Sequence, residues 1–210
     1  MKFSDAMRWR YATKKFDPNK QVDETIVDEL LDITNLTPTS YGLQPFKMVV
    51  LKNQDIQDQL ITSSYGQRQV ADASHVLIIA ARTDVDADYV REYIAMVESQ
   101  RDLASGTMEE YCQVMTGSIN RMSPEAMEHW AAKQAYIALG TVMAACATLQ
   151  VDACPMEGFV PQEYNAILKL EQHNLHAVVV IPIGYRAEDD ATQHNQKVRR
   201  PISDMVVRIQ

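Results

Sequence analysis

The chain has 210 residues, 46% of them apolar and 23% charged, with a formal net charge of −8. That length suits one large domain or two small ones, with ample apolar material for a core. The acidic total excludes broad nucleic-acid binding, which needs extended basic surface, but leaves room for a local anion site.

The first residues, MKFSDAMRWRYATKK, lack the long apolar stretch of a secretory signal. Residues 23–36 place Ile26, Val27, Leu30, Leu31 and Ile33 at helical spacing, which predicts an amphipathic helix. TPTSYGLQP follows as a loop, broken by Pro38, Gly42 and Pro45. FKMVVL at 46–51 reads as a strand, 54–62 as a short helix, and HVLIIAAR at 75–82 as a buried strand. Residues 86–122 read as polar helix with breaks expected at Gly106 and Gly117.

A long helix is expected to start after Ser123-Pro124, where serine caps and proline takes the first turn. From Ala131 to Leu149 it is nearly apolar on every face, which predicts burial all round, in a core or a subunit interface. PMEGFVP at 155–161 reads as a loop, and a short helix follows near 161–170. HAVVVIPIGY at 176–185 is the strongest strand signal, and the basic tail NQKVRRPISDMVVRI ends in a small β-like run. With no repeat or linker, one α/β or α+β domain spanning 1–210 is the simplest organisation.

Missing motifs narrow the chemistry. The glycines never approach each other closely enough for a GxGxxG turn or a GxxxxGK[ST] phosphate loop. No GxSxG elbow or HExxH helix is present, and the five histidines are scattered singly, so His75 reads as structural rather than as a metal ligand. Cys112, Cys146 and Cys154 are odd in number and show no CxxC spacing, so neither a disulfide framework nor a zinc site is expected. No run nears the roughly 18 apolar residues of a membrane span. A soluble, cytoplasmic protein is the expectation.

The positive signal is basic. RWRYATKKFD at 8–17 holds Arg8, Arg10, Lys14 and Lys15, and the tail adds Lys197, Arg199 and Arg200. Charge runs are usually solvated surface. Yet a chain without a glycine-rich cradle can still hold a phosphate with Arg and Lys. Gln67 and Gln69, two apart, would present both amides on one side of an extended segment, as a heteroaromatic ring edge requires. PMEGF puts a glutamate in a tight loop.

In order along the chain, Arg10-Tyr11-Ala12-Thr13-Lys14-Lys15-Phe16 resembles R-x-S-x-[RK]-x-F, and Pro38-Thr39-Ser40-Tyr41-Gly42-Leu43-Gln44-Pro45 resembles P-S-S-x-N-x-Q-P. Gln67-Arg68-Gln69 with Asp72-Ala73-Ser74-His75 resembles Q-x-Q…ASH. Pro155-Met156-Glu157-Gly158-Phe159 resembles P-x-E-G-F, and Lys197-Val198-Arg199-Arg200-Pro201 resembles K-x-R-x-P. Together they resemble the FMN-dependent nitroreductase family, in its oxygen-insensitive NAD(P)H nitroreductase branch.

The resemblance implies an α+β, three-layer fold. A central mixed, mainly antiparallel sheet is flanked by helices, in an intertwined homodimer. It implies FMN as cofactor and NAD(P)H as electron donor. The acceptor it implies would be a small electron-poor molecule, a nitroaromatic or a quinone, reduced in a ping-pong cycle with no side chain acting as nucleophile. Arg10, Lys197 and Arg199 would hold the FMN phosphate, with Tyr11 and Ala12 beside them. Lys14 would lie near the flavin N1–O2 edge and tune its potential. Gln69 and Gln67 would bond the pyrimidine edge. Pro155, Met156, Glu157 and Gly158 would line the face near N5, with Glu157 acting through its loop geometry. Thr39, Ser40 and Gly42 would belong to the loop that reaches the partner's site, and the helix from Trp130 to Leu149 would form the interface. The chain departs from the pattern at Ala12, where serine is usual, at Gly42, where asparagine is usual, and at Phe46, where many members carry tryptophan. Residues 90–125 match no motif. The alternatives are another flavoenzyme activity on this fold or a flavin-binding module without turnover.

Overall fold

The computed structural model describes residues 2–209. Its framework is a four-stranded sheet in the order β1-β2-β4-β3, with β1 at Phe46–Leu51, β2 at His75–Arg82, β3 at Asp152–Ala153 and β4 at Leu175–Gly184. All three ladders are antiparallel, and the parallel element is an isolated bridge between Ala12 and Ala153.

The sheet divides two cores. Leu77 and Ile79 of β2, with Val179, Ile181 and Ile183 of β4, point to one face, where α2 (Glu24–Asn35) and α7 (Pro124–Thr148) pack. Val76, Ile78, Ala80 and Val180 point to the other, where α3 (Gln54–Ser63), α4 (Gln69–Asp72) and α8 (Pro161–Leu168) pack. Side chains alternate across a strand, so a strand covered on both faces must be apolar at every position. That is why HVLIIAAR shows no polar alternation. A third cluster joins α5 (Ala87–Gln100), α6 (Glu109–Ile119) and the start of α7 around Leu43, Val90 and Met115.

The predicted strands at 46–51 and 75–82 and the helix at 23–36 are present, as is the Ser123 cap, whose Oγ accepts from the Ala126 N–H. Four local expectations change. Gly117 lies inside α6 and breaks nothing, because its φ/ψ is helical and the surrounding residues supply the turn. Only Gly106, at φ +86°, separates α5 from α6. The buried Glu98 carboxylate closes that connection by accepting from the Gly106 and Met108 N–H groups at 3.0 and 2.7 Å. The tail's apolar run is not a strand among the described residues. Its start forms a one-turn helix, α9 (Ile202–Met205), after Pro201, and Val206–Ile209 finds no ladder partner within the chain. Within a single chain helix α7 is not buried all round by the core, since Lys133, Tyr136, Ile137 and Gly140 form an exposed stripe. Finally, α1 (Phe3–Trp9) precedes the first predicted element.

Candidate functional site

Helix α1 ends at Arg10, whose N–H donates to Ala6 O at 3.0 Å, and the chain then runs extended past β3. This segment hangs on Asp190. One carboxylate oxygen of Asp190 accepts from Tyr11 Oη at 2.9 Å, the Lys14 N–H at 2.9 Å and the Lys15 N–H at 3.2 Å. The other accepts from the Thr192 N–H and hydroxyl. Burial opposes the charge, but these donors outweigh it and hold the carboxyl near a pKa of about 2. Asp190 therefore shapes the basic segment. It stands in the run Ala187-Glu188-Asp189-Asp190, which reads as surface charge, and only its burial to 3% exposure distinguishes it.

Arg186 braces the same segment. Its guanidinium pairs with the buried Asp152, Nε lying 2.9 Å from Oδ1, and stacks on Trp9 and Tyr11 at 4.4 and 4.6 Å from the ring centres. A committed arginine of this kind is a fixture of the scaffold.

Arg10, Lys197 and Arg199 are different. Lys197 Nζ donates to the Arg8 carbonyl, which fastens the tail to the end of α1. Burial and the charge of Arg199 hold the Arg10 guanidinium below its ordinary pKa. Burial, then the charges of Arg10, Arg199 and Arg186, do the same to the Lys197 ammonium. Among the described residues none of the three forms an ion pair. Three mutually repelling cations from opposite ends of the chain, with no carboxylate among them, have the chemistry of an anion site.

From that cluster the site extends along one edge of the sheet. Lys14 Nζ lies 4.0 Å from the Sγ of the buried Cys154, which leads into the 155–158 loop. Met156 bridges Val180 of β4, and Gln67 Nε2 donates to Gly158 O at 2.8 Å. A Cβ at Gly158 would fall 2.9 Å from that Gln67 nitrogen, so a larger residue there would push the amide away from the loop. Glu157 Oε1 accepts from Tyr136 Oη of α7 at 2.6 Å, and burial with that bond raises the Tyr136 phenol to about 12.

The two glutamine amides are not paired on an extended segment. Gln67 sits in a turn, and Gln69 opens α4 because Arg68 already has helical φ/ψ. The turn sends Gln67 to the 155–158 loop and leaves Gln69 8% exposed.

The 39–44 loop stands apart from this edge. The Ser40 N–H donates to Gln134 Oε1 of α7 at 2.9 Å, and Thr39 Oγ1 accepts from the Gln44 N–H. Tyr41, Gly42 and Gln44 all have positive φ, at 59°, 78° and 44°. Sequence spacing points to a loop here but carries no sign of this strain. His75 is buried between Ser74 and Glu24, and no group of three potential ligands suited to a metal occurs among the described residues.

The family model described as "Nitroreductase family" matches residues 7–185. The chain belongs to the nitroreductase family. It is therefore an oxidoreductase by membership. It is 35% identical over 213 residues to "Putative NAD(P)H nitroreductase YfkO" of Bacillus subtilis, covering 96% of this chain and 95% of that protein. A similarly named protein, SSP0379 of Staphylococcus saprophyticus, is 34% identical over 210 residues, covering 96% and 94%. In fold the chain is similar to the crystal structure of ydfN from Bacillus subtilis, titled a putative nitroreductase, with a TM-score of 0.88 at 19% identity over 99% of this chain and 98% of that one. A putative nitroreductase in complex with FMN from Exiguobacterium sibiricum gives 0.84 at 17% identity over 100% and 98%. The matched span includes Arg10, Lys14, Gln67 and the 155–158 loop of this nitroreductase, whereas Lys197 and Arg199 lie beyond it and stand beside Arg10 in the fold.

Proposed function

We propose that this nitroreductase is an FMN-dependent oxidoreductase that takes a hydride from NAD(P)H and delivers it to small electron-poor acceptors, nitroaromatics or quinones. The observation that carries the reading is the unpaired cation cluster of Arg10, Lys197 and Arg199 beside a glycine-bearing loop. The donor set fits FMN, with cations for a phosphate at one end and an amide-braced loop at the other. When bound, FMN supplies a ring that accepts two electrons as a hydride and gives them up again.

The protein's part is to bind, orient and tune. Arg10 and Arg199 would hold the phosphate, with Lys197 adding charge while tying the tail to α1. Tyr11 and Ala12 would stand beside these cations. Lys14 would supply a positive charge that favours the reduced form of the cofactor. Gln67 holds the 155–158 loop in place, Gln69 would offer its amide to the pyrimidine edge, and Pro155, Met156, Glu157 and Gly158 would line the ring. No side chain need act as a nucleophile.

The reading includes a homodimer with one domain per chain. Gln134 and Tyr136 are two residues apart on α7, so they face directions about 200° apart. The 39–44 loop attaches at the first, and Glu157 at the second. This separation supports Thr39, Ser40 and Gly42 serving the partner's site rather than their own. The bare stripe on α7 and the exposed apolar tail support a second copy as their cover, with Ile137 45% exposed and Ile209 94% exposed.

The test is a visible absorption spectrum of the purified protein, repeated after anaerobic NADPH and then NADH. A yellow protein that bleaches is the expected result, and it reveals the donor preference. Bound flavin that resists both donors would leave a binding module, and failure to take up added FMN would overturn the reading.

A further inference from the structure

The side-chain space of Gly42 is already taken. A Cβ built on this residue would lie 2.2 Å from Tyr93 Oη and 3.1 Å from the phenol carbon that bears it. Nothing larger than hydrogen fits at position 42 while that phenol stays in place. The backbone around it is held in a costly conformation, with left-handed φ at Tyr41 and Gln44.

Helix α5 delivers the phenol. Its Asp86 cap accepts from the Tyr89 N–H at 2.9 Å, and Tyr89 and Tyr93 share a face because they are four residues apart. Tyr89 Oη donates to Leu43 O at 2.7 Å and spends its hydrogen on the loop backbone. Tyr93 Oη, one turn on, has no hydrogen-bond partner among the described residues, although it reaches the loop at the same place. A half-buried hydroxyl held beside a strained loop, with its hydrogen unspent, is poised to donate outward.

We infer that Tyr93 supplies the polar group that the 39–44 loop presents to a bound small molecule, in place of a side chain at position 42, and so helps set acceptor specificity. The inference rests on the proposed flavoenzyme reading. A phenol hydroxyl donates, so the favoured acceptors carry an oxygen that can accept, as in a quinone carbonyl or a nitro group. The inference concerns the half-reaction with the acceptor.

Two experiments test the inference. The first compares Tyr93→Phe with the parent in FMN uptake, in the anaerobic half-reaction with NAD(P)H, and in turnover with 1,4-benzoquinone. Uptake and half-reaction should be unchanged, while kcat/KM for the quinone should fall about three- to tenfold, the worth of one neutral hydrogen bond. Normal flavin reduction with unchanged quinone kinetics would overturn the assignment of Tyr93 and leave the flavoenzyme reading standing. Absent flavin would defeat that reading itself.

The second is a thermal-unfolding cycle of Gly42→Asn, Tyr93→Ala and the double variant, which needs no turnover. Asparagine tolerates left-handed φ better than other side chains, so the clash with the phenol is the main obstacle. The single Gly42→Asn variant should melt lower, and adding Tyr93→Ala should restore much of the loss. Additive effects would overturn the exchange of position 42 for Tyr93.

Discussion

At the scale of single residues, partner supply separates structural charge from functional charge. Arg186 has Asp152 and two aromatic rings, whereas Arg10 forms no ion pair among the described residues and faces the charge of Arg199. Arg10→Ala is therefore expected to weaken FMN binding by about 1.5–3 kcal/mol, the worth of a charged hydrogen bond. A fluorescence titration with unchanged affinity would remove the phosphate assignment. Asp190 makes the opposite case. Its carboxyl lies at about 2 in the folded chain, below the ordinary aspartate value of 3.8, so folding favours the ionised form. The stabilisation is complete above the unfolded value and is lost as pH falls through the folded one. The shift corresponds to on the order of 2 kcal/mol. Asp190→Asn should lower stability at neutral pH by about that much and flatten the decline between roughly pH 4 and 2. Equal pH dependence of the two proteins in urea denaturation would refute it.

At the scale of elements, the helices were the easier reading where caps and periodicity agreed. Asp23 accepts from the Thr25 N–H at the start of α2, Asn53 caps α3 and Ser123 caps α7. Ser123→Ala should cost about 1 kcal/mol, measured by chemical denaturation, because one orphan N–H loses its acceptor. A loss within error would mean that water replaces the cap fully. Strand β3 escaped because two residues carry no periodicity. The amides of Gln67 and Gln69 part company because a turn and a helix start separate them, and side-chain alternation applies only to extended chain. The strained 39–44 loop was legible as a loop through its prolines and glycine. Its left-handed residues were not, since Tyr41 and Gln44 have no intrinsic preference for that region.

At the scale of the whole molecule, assembly bears on the site. Helix α7 packs on the sheet with its inner face and leaves Tyr136 and Ile137 uncovered, 40% and 45% exposed. Isolated exposed apolar residues are ordinary, but this stripe lies beside Glu157, and Val206, Val207 and Ile209 at the end of the tail are bare as well. Ile137→Glu should keep the circular dichroism of the parent, since the side chain already meets solvent in a single chain. Sedimentation should show a shift to monomer, with FMN retention falling in parallel. A dimer that survives the substitution would place the interface elsewhere. Among the described residues no helix is long and apolar enough to cross a membrane.

The amino-acid sequence alone determined the principal strands, most helices and the motifs that place this chain among the nitroreductases. Those features depend on local periodicity, caps and short-range residue order, which the chain carries in itself. The tertiary structure decided what distance along the chain conceals. It joined Arg10 to Lys197 and Arg199, made Asp190 the anchor of the basic segment, and filled the side-chain space of Gly42 with Tyr93. Each of these depends on close approach between segments far apart in sequence, and no periodicity encodes which distant groups will meet.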